Sequence, residues 1–356
     1  MCTLTLWHSY NNEETRVFNA LVADFEKAHP QIKIKAERVP FDGLLPKLTS
    51  AAIAHRTPDI ARVDIGHVAR LAWGHVISPL NQLRAEETVG AMLPIAAKVA
   101  SVKTPRDKVA QLYAIPDQLT TVALYYNKKI LAELQVTPPK TLGDLHRIGK
   151  IFRERGKSHK ALGINASLWW AMPWLFLYNA RVMNDTLDRC LLNSGESIAA
   201  IEALRTLYTE GTEGGAWLSG AINPDQGFLT GRYAMILSGP WNLKTFQKIP
   251  FGVRLVPAHG KKISASNIGG SAMVVFAASP RKSEAYQFLS YLVSEPVQKK
   301  WIQETGQLSV NARANQSLEH TFSPELKTFL RQLEFAEPRP QLPGYDTLET
   351  IVAPYL

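Results

Sequence analysis

GRYAMILSGPWNLKTF, residues 231–246, is an apolar run that ends in Gly239-Pro240-Trp241. RYAMIL follows a glycine stop at Gly231 and reads as a buried strand. Gly239 permits a tight turn, and Pro240 suits the first position of a helix over 241–247. Trp241 is thereby expected at the carboxyl end of the strand. A tryptophan there either plugs a core or meets a ligand, because ligands of open parallel sheets bind outside the carboxyl ends of the strands.

The rest of the chain supplies the sheet. LTLWH (4–8) reads as a strand, and Asn12 with Glu13 and Glu14 reads as a helix cap with acids in the first turn. Val17, Phe18, Leu21, Val22 and Phe25 recur at helical spacing until Pro30, and IKIKAERV then alternates as a second strand. Asp42 is placed to cap a helix through Leu44, Leu45, Leu48 and Ala52, and Pro58 opens the short strand DIARV. Such alternation predicts an α/β fold with largely parallel sheets. The same grammar resumes after residue 113, with strands LYAIP and TTVALYYN, a helix over 128–134, and a capping box from Thr141 to Asp144. ALGIN is a further strand, Ile198, Ile201, Leu204 and Leu207 share one face of a helix over 196–209, and SAMVVFAAS (271–279) is one more buried strand. A proline-rich crossing, PRPQLPGYD, precedes a last short helix.

At 356 residues the chain exceeds the size at which a single core stops growing, so two domains are expected. No Ser/Gly-rich linker separates the two α/β units, which implies that strands connect them, as a hinge does. Lys and Arg number 40 against 31 Asp and Glu, a formal charge of +9. The excess is scattered in pairs such as Lys128-Lys129 and Lys261-Lys262, unlike the clustered charge and interleaved aromatics of a nucleic-acid binder. Two cysteines, Cys2 and Cys190, make neither a disulfide scaffold nor a structural metal site. No apolar stretch approaches the ~18 residues of a membrane span.

The usual catalytic signatures are missing, among them H-E-x-x-H, G-x-S-x-G, the P-loop and G-x-G-x-x-G. Ser279-Pro280-Arg281-Lys282 matches S-x-x-K but lies at a strand-to-helix turn, where Ser-Pro is a common opener. Asp185 and Asp188 are three apart in one loop, whereas glycosidase carboxylates come from separate elements across a cleft. Tyr125 and Tyr126 are neighbours in a strand and point to opposite faces, so they do not make a phenolate pair for iron. What remains is a set of aromatics at strand ends: Trp7, His8 and Tyr10 where the first strand meets the first helix, Trp169, Trp170 and Trp174 after ALGIN, and Trp241. Aromatic faces suit the C–H-rich faces of sugar rings, with nearby Asp, Asn and Gln taking the hydroxyls.

YAIPDQLTTVALYYNKKIL followed by PPKTLGDL, GRYAMILSGPWNL, NIGGSAMVVFAASPRKSEAYQFLSYLVSEPVQKKW followed by TGQLSVN, and the amino-terminal LTLWHSYNNEE and TPDIARVDIGHVARLAWGHVISPLNQL occur in this order over nearly the whole chain. Together they resemble the extracellular solute-binding proteins of ABC importers, in the branch that includes maltose-binding protein. The resemblance implies a periplasmic-binding-protein-like fold, with two α/β lobes joined by a multi-strand hinge and closing on a ligand between them. The first lobe is expected over 3–115 and 272–312, the second over 119–268 and 315–356, with crossings near 115–120, 268–272 and 311–316. It implies a monomer that captures a mono- or oligosaccharide for a membrane permease, without cofactor, metal or catalysis. An extracytoplasmic location follows, periplasmic or lipid-anchored at the outer face of the membrane, with Cys2 where the family carries its lipidated cysteine.

Residue by residue, Trp241 takes the place of the family's sugar-stacking tryptophan and Trp169 that of a second stacking aromatic. His8, Ser9 and Tyr10 occupy the loop after the first strand, and Asp64 the segment that supplies polar contacts from the first lobe. Asp117, Gln118 and Thr120 lie on the first crossing, Gly269 and Gly270 on the return, and Tyr345 near the carboxyl end. The chain departs from the pattern at Thr120, where many sugar binders carry an acid, and in its short carboxyl end. A glycerol-3-phosphate or phosphodiester receptor of the same fold is the alternative, a secreted glycoside hydrolase a distant one, and an iron or polyamine receptor lacks converging phenolates or acids.

Overall fold

The computed structural model describes residues 1–83, 85–155 and 159–356. The strands are β1 (Cys2–His8), β2 (Ile32–Arg38), β3 (Ile60–Asp64), a short pair β4 (Ser101–Val102) and β5 (Gln111–Leu112), β6 (Ile115–Thr121), β7 (Ala123–Asn127), β8 (Lys160–Gly163), β9 (Tyr233–Ser238), β10 (Phe251–Arg254), β11 (Ser266–Val275) and β12 (Ala336–Pro338). The chain forms two compact units, Met1–Leu119 with Gly269–Thr321 and Gln341–Pro343, and Thr120–Ile268 with Phe322–Pro340 and Gly344–Leu356. Strands β6 and β11 each begin in one unit and end in the other. The remaining division between long segments falls at Thr321/Phe322; residues 312–316 belong to the helix Ala312–Leu318, whose first turn Asn311 caps.

In the first unit β1 pairs in parallel with both β2 and β3, and β3 pairs antiparallel with the Ser271–Val275 half of β11. The helix Asn12–Ala28 packs its Val17, Phe18, Leu21 and Phe25 face inward. Its cap is Asn11 rather than Asn12: the Asn11 side chain accepts from the Glu14 amide at 2.9 Å, and the Glu14 carboxylate accepts from the Asn11 amide at 2.9 Å. Phe18, Phe25 and Phe288 pack edge to face beneath the sheet, with ring centroids 4.9–6.3 Å apart where they meet. Asp42 lies in the first turn of Phe41–Ile53, which has no side-chain cap.

In the second unit the sheet runs β10-β7-β9-β8. It is not largely parallel: β7 pairs antiparallel with both β9 and β10, and only β8 and β9 run parallel. Its core is aromatic, with Tyr125 in ring contact with Phe228, Phe246, Phe251 and Phe329. Thr141 and Asp144 form the expected capping box of the helix Leu142–Glu154. On the helix Gly195–Thr209 the buried face is Ser197, Ala200, Leu204 and Leu207, leaving Ile198 exposed. A constant spacing of three, as in 198, 201, 204 and 207, drifts around a helix of 3.6 residues per turn, whereas 197, 200, 204 and 207 stay on one face.

Candidate functional site

In the first unit the segment after β1 carries Tyr10, β3 carries Arg62, and β6 carries Asp117 and Gln118. These four meet in the interior. The Tyr10 hydroxyl donates to Asp117 Oδ2 at 2.6 Å, and Arg62 Nε donates to the same oxygen at 2.7 Å. The Arg62 guanidinium lies 4.0 Å over the Tyr10 ring and also donates to the Gln118 side-chain carbonyl. Gln118 bonds to the Gln307 amide oxygen, and both glutamines donate to Glu14 Oε1. Arg62 and Asp117 are 3% and 4% exposed, so this is a desolvated ion pair.

Burial raises the Asp117 carboxyl above its ordinary range, with Arg62 and the Tyr10 hydroxyl pulling the other way. Burial opposes the charge on Arg62, but Asp117, Tyr10 and Glu14 around it together outweigh this and hold the guanidinium protonated. His8 is pushed down to about 4, first by burial and then by the charges of Arg62 and Arg38, which makes it neutral at pH 7. Its Nδ1 accepts from the Tyr10 amide at 3.4 Å. Asp117 Oδ1 is buried and has no hydrogen-bond partner among the described residues.

His8, Tyr10, Asp117 and Gln118 are therefore brought together, but as a buried cluster rather than as side chains presented to solvent. Ser9 joins at its margin, 3.5 Å from Arg62. Sequence reasoning missed Arg62, Glu14 and Gln307. An arginine among the apolar residues of IARV was the available signal, since an arginine in a buried strand requires a partner. Asp64 accepts from the Gly66 amide at 2.7 Å, capping the turn Ile65–His67. Thr120 is 8% exposed on β6. Gly270 has φ +129°, and a Cβ there would run into the Gln118 carbonyl, so glycine is required by the approach of β11 to β6.

In the second unit Trp241 and Trp169 are both half-buried. Trp241 follows β9 in a short 3-10 turn, Pro240–Asn242, with a second such turn at Thr245–Lys248; there is no continuous helix over 241–247. The indole folds back over Gly239, where any Cβ would collide with the ring, and the Gly239 carbonyl accepts from the Tyr125 hydroxyl at 2.8 Å. Asn242 and Ser238 bond to Asp225, fixing the turn from its other side. Trp169 opens the helix Leu168–Leu177 just after β8. Its amide donates to Glu349 at 3.0 Å, its carbonyl accepts from Asn267 at 2.9 Å, and its ring meets Trp170 edge to face at 4.7 Å. Trp174 is fully buried. So is Tyr345, whose hydroxyl points to the Met172 sulfur at 3.9 Å.

Ser279, the serine of the S-x-x-K match, donates to Asp59 at 2.6 Å and accepts from the Arg281 amide, a strand-to-helix turn bond. Asp185 and Asp188 are exposed and tied to Arg181, Asn184 and Thr186. Among the described residues no group of three or more His, Cys, Asp or Glu could hold a metal ion, and no helix is long and apolar enough to cross a membrane.

Residues 20–328 match the family described as bacterial extracellular solute-binding protein. The maltotriose-binding protein of Pyrococcus abyssi is 23% identical over 300 residues, which is 82% of this chain and 63% of that protein. The galactooligosaccharide-binding protein of Bacillus subtilis is 23% identical over 365 residues, 98% of this chain and 82% of that one. The GacH receptor of Streptomyces glaucescens, solved unliganded and with acarbose, superposes with a TM-score of 0.85 at 23% identity, covering 99% of this chain and 91% of that one. That likeness shows the periplasmic-binding-protein-like fold.

Proposed function

The chain belongs to the bacterial extracellular solute-binding proteins, and from that premise we propose that it is the substrate-binding component of an ABC importer, capturing a mono- or oligosaccharide of the maltodextrin kind. The observation that carries this reading is the pair of half-buried tryptophans, Trp241 and Trp169, held by fixed backbone bonds at the ends of β9 and β8. A rigid indole presents a flat apolar face at little entropic cost, which suits a sugar ring. Relatives named for maltotriose and for galactooligosaccharide agree with that chemistry.

Capture then works by population shift. A ligand with higher affinity for the closed conformation moves the equilibrium toward it, and one with equal affinity for both conformations moves nothing. No bond of the sugar changes. The permease reads the closed form, the protein acts as a monomer outside the cytoplasm, and Cys2 is the place where a lipid would hold it to the membrane.

The test is a thermal-shift and calorimetric titration with maltotriose, a galactooligosaccharide, trehalose and sn-glycerol 3-phosphate. A sugar at a hundredfold excess over its Kd adds about 2.7 kcal/mol of apparent stability. Binding of glycerol phosphate with no response to any sugar would overturn the carbohydrate reading.

A further inference from the structure

The second unit holds a cavity of about 610 Å³ lined by Val253, Arg254, Leu255 and Val256, by Lys140, and by Arg331 from the helix Pro324–Leu333. Neighbouring side chains of a strand point to opposite faces, and the cavity touches both Val253 and Arg254 at the end of β10 before running on past Leu255 and Val256, so it follows the strand's edge. β10 is the end strand of its sheet, with β7 on one side only. Its continuation at Val256 gives its amide to the Gln332 side chain, 2.9 Å away, rather than to another strand. Past it the Ala258 amide donates to the Lys140 carbonyl at 2.8 Å and the Leu142 amide to the Ala258 carbonyl at 3.0 Å, so residues 140–142 close the far end of the groove and β10 itself is the open sheet edge, the feature to which extended chains add.

Its charge has one sign. Arg254, Arg331 and Lys140 line it, and no Asp or Glu does. On the flanking elements Asp144 is engaged in its capping box, where it accepts from the Lys140 and Thr141 amides, and Glu325 sits 4.0 Å from Lys128. Among the described residues neither Arg254 nor Arg331 makes an ion pair. Between the cations the floor is apolar, from Val253, Val256 and Pro139.

We propose that this edge groove docks an extended acidic segment of a partner protein, added alongside β10 with its carboxylates on Arg254 and Arg331 and alternate apolar side chains on the floor. Guanidinium forks match carboxylates bidentately, and a strand laid on the edge places every second residue toward one face.

The probe is a pool of five-residue capped peptides alternating Asp or Glu with Val, Ile or Tyr, screened at low salt, with the best binder measured by calorimetry and by amide chemical shifts. The expected result is saturable binding that shifts the amides of residues 251–256. It weakens at least tenfold in Arg254→Glu/Arg331→Glu, and the Lys-for-acid peptide does not bind. Arg331→Ala, a change at an exposed side chain, controls for folding, since its melting point is expected to be unchanged while affinity falls severalfold. No binder in the pool, or a binder indifferent to the charge reversal, overturns the proposal. Equal competition by glutarate or inorganic phosphate would mark a small-anion site instead and overturn it equally. Sugar titrations are read separately, so failure here leaves the carbohydrate reading standing.

Discussion

The two crossing regions of this chain solve the same problem with opposite chemistry. In the first unit Asp117 and Gln118 of β6 are buried with Arg62, the Tyr10 hydroxyl and Gln307. In the second, β7 buries Tyr125 among four phenylalanines, its hydroxyl donating to the Gly239 carbonyl, while Asn127 at its end caps the next helix. A charged cluster is satisfied in one arrangement and costly in any other, whereas an aromatic core tolerates repacking. The first region is therefore built to hold a geometry, and the second to support a surface aromatic.

That contrast can be broken most decisively at Arg62. Arg62→Met strands Asp117 in the interior and is expected to cost about 3–5 kcal/mol in denaturant melts, while Arg62→Met/Asp117→Leu recovers much of it. A single variant as stable as the parent would remove the claim that the pair organises the unit. His8 gives the next effect. Its folded value of about 4 lies below the ordinary 6.5, so the unfolded chain binds the extra proton. The stabilising contribution is complete above pH 6.5 and lost as pH falls toward 4, on the order of 3 kcal/mol. Stability against pH, compared between the parent and His8→Phe, is expected to diverge over that window and nowhere above it.

Gly270→Ala places a methyl against the Gln118 carbonyl at φ +129°, with an expected loss of about 1–3 kcal/mol. Gly344→Ala, where nothing stands within 4 Å of the new atom, is the control and should stay within ~0.5 kcal/mol. Apart from that control, the smallest effect on folding is expected at Trp241→Ala, about 1 kcal/mol for a half-buried ring, together with a loss of sugar affinity of at least tenfold. A large stability loss with sugar binding retained would make Trp241 a core residue and erase the contrast between the two regions.

Periodicity and punctuation were enough to read most elements. Thr141 and Asp144 announced their capping box, and Val17 to Phe25 their buried face, because these signals are local. Asn11 and Asn12 were not separable by pattern, since either side chain reaches the Glu14 amide from sequence alone. The antiparallel course of β7 was not legible either, because strand direction depends on where the crossing chain returns.

The element order, the division into two units and the tryptophans at the strand ends follow from residue spacing along a single chain. That Arg62, Asp117, Tyr10, Gln118 and Gln307, residues up to 297 positions apart by number, form one hydrogen-bonded cluster follows only from how the strands come together. The tertiary structure alone decided too that His8 and Tyr10 turn inward while Trp241 and Trp169 remain half open. The physical reason is that burial and electrostatic pairing are properties of what surrounds a side chain, and those neighbours come from strands that the sequence spaces apart and only folding brings together.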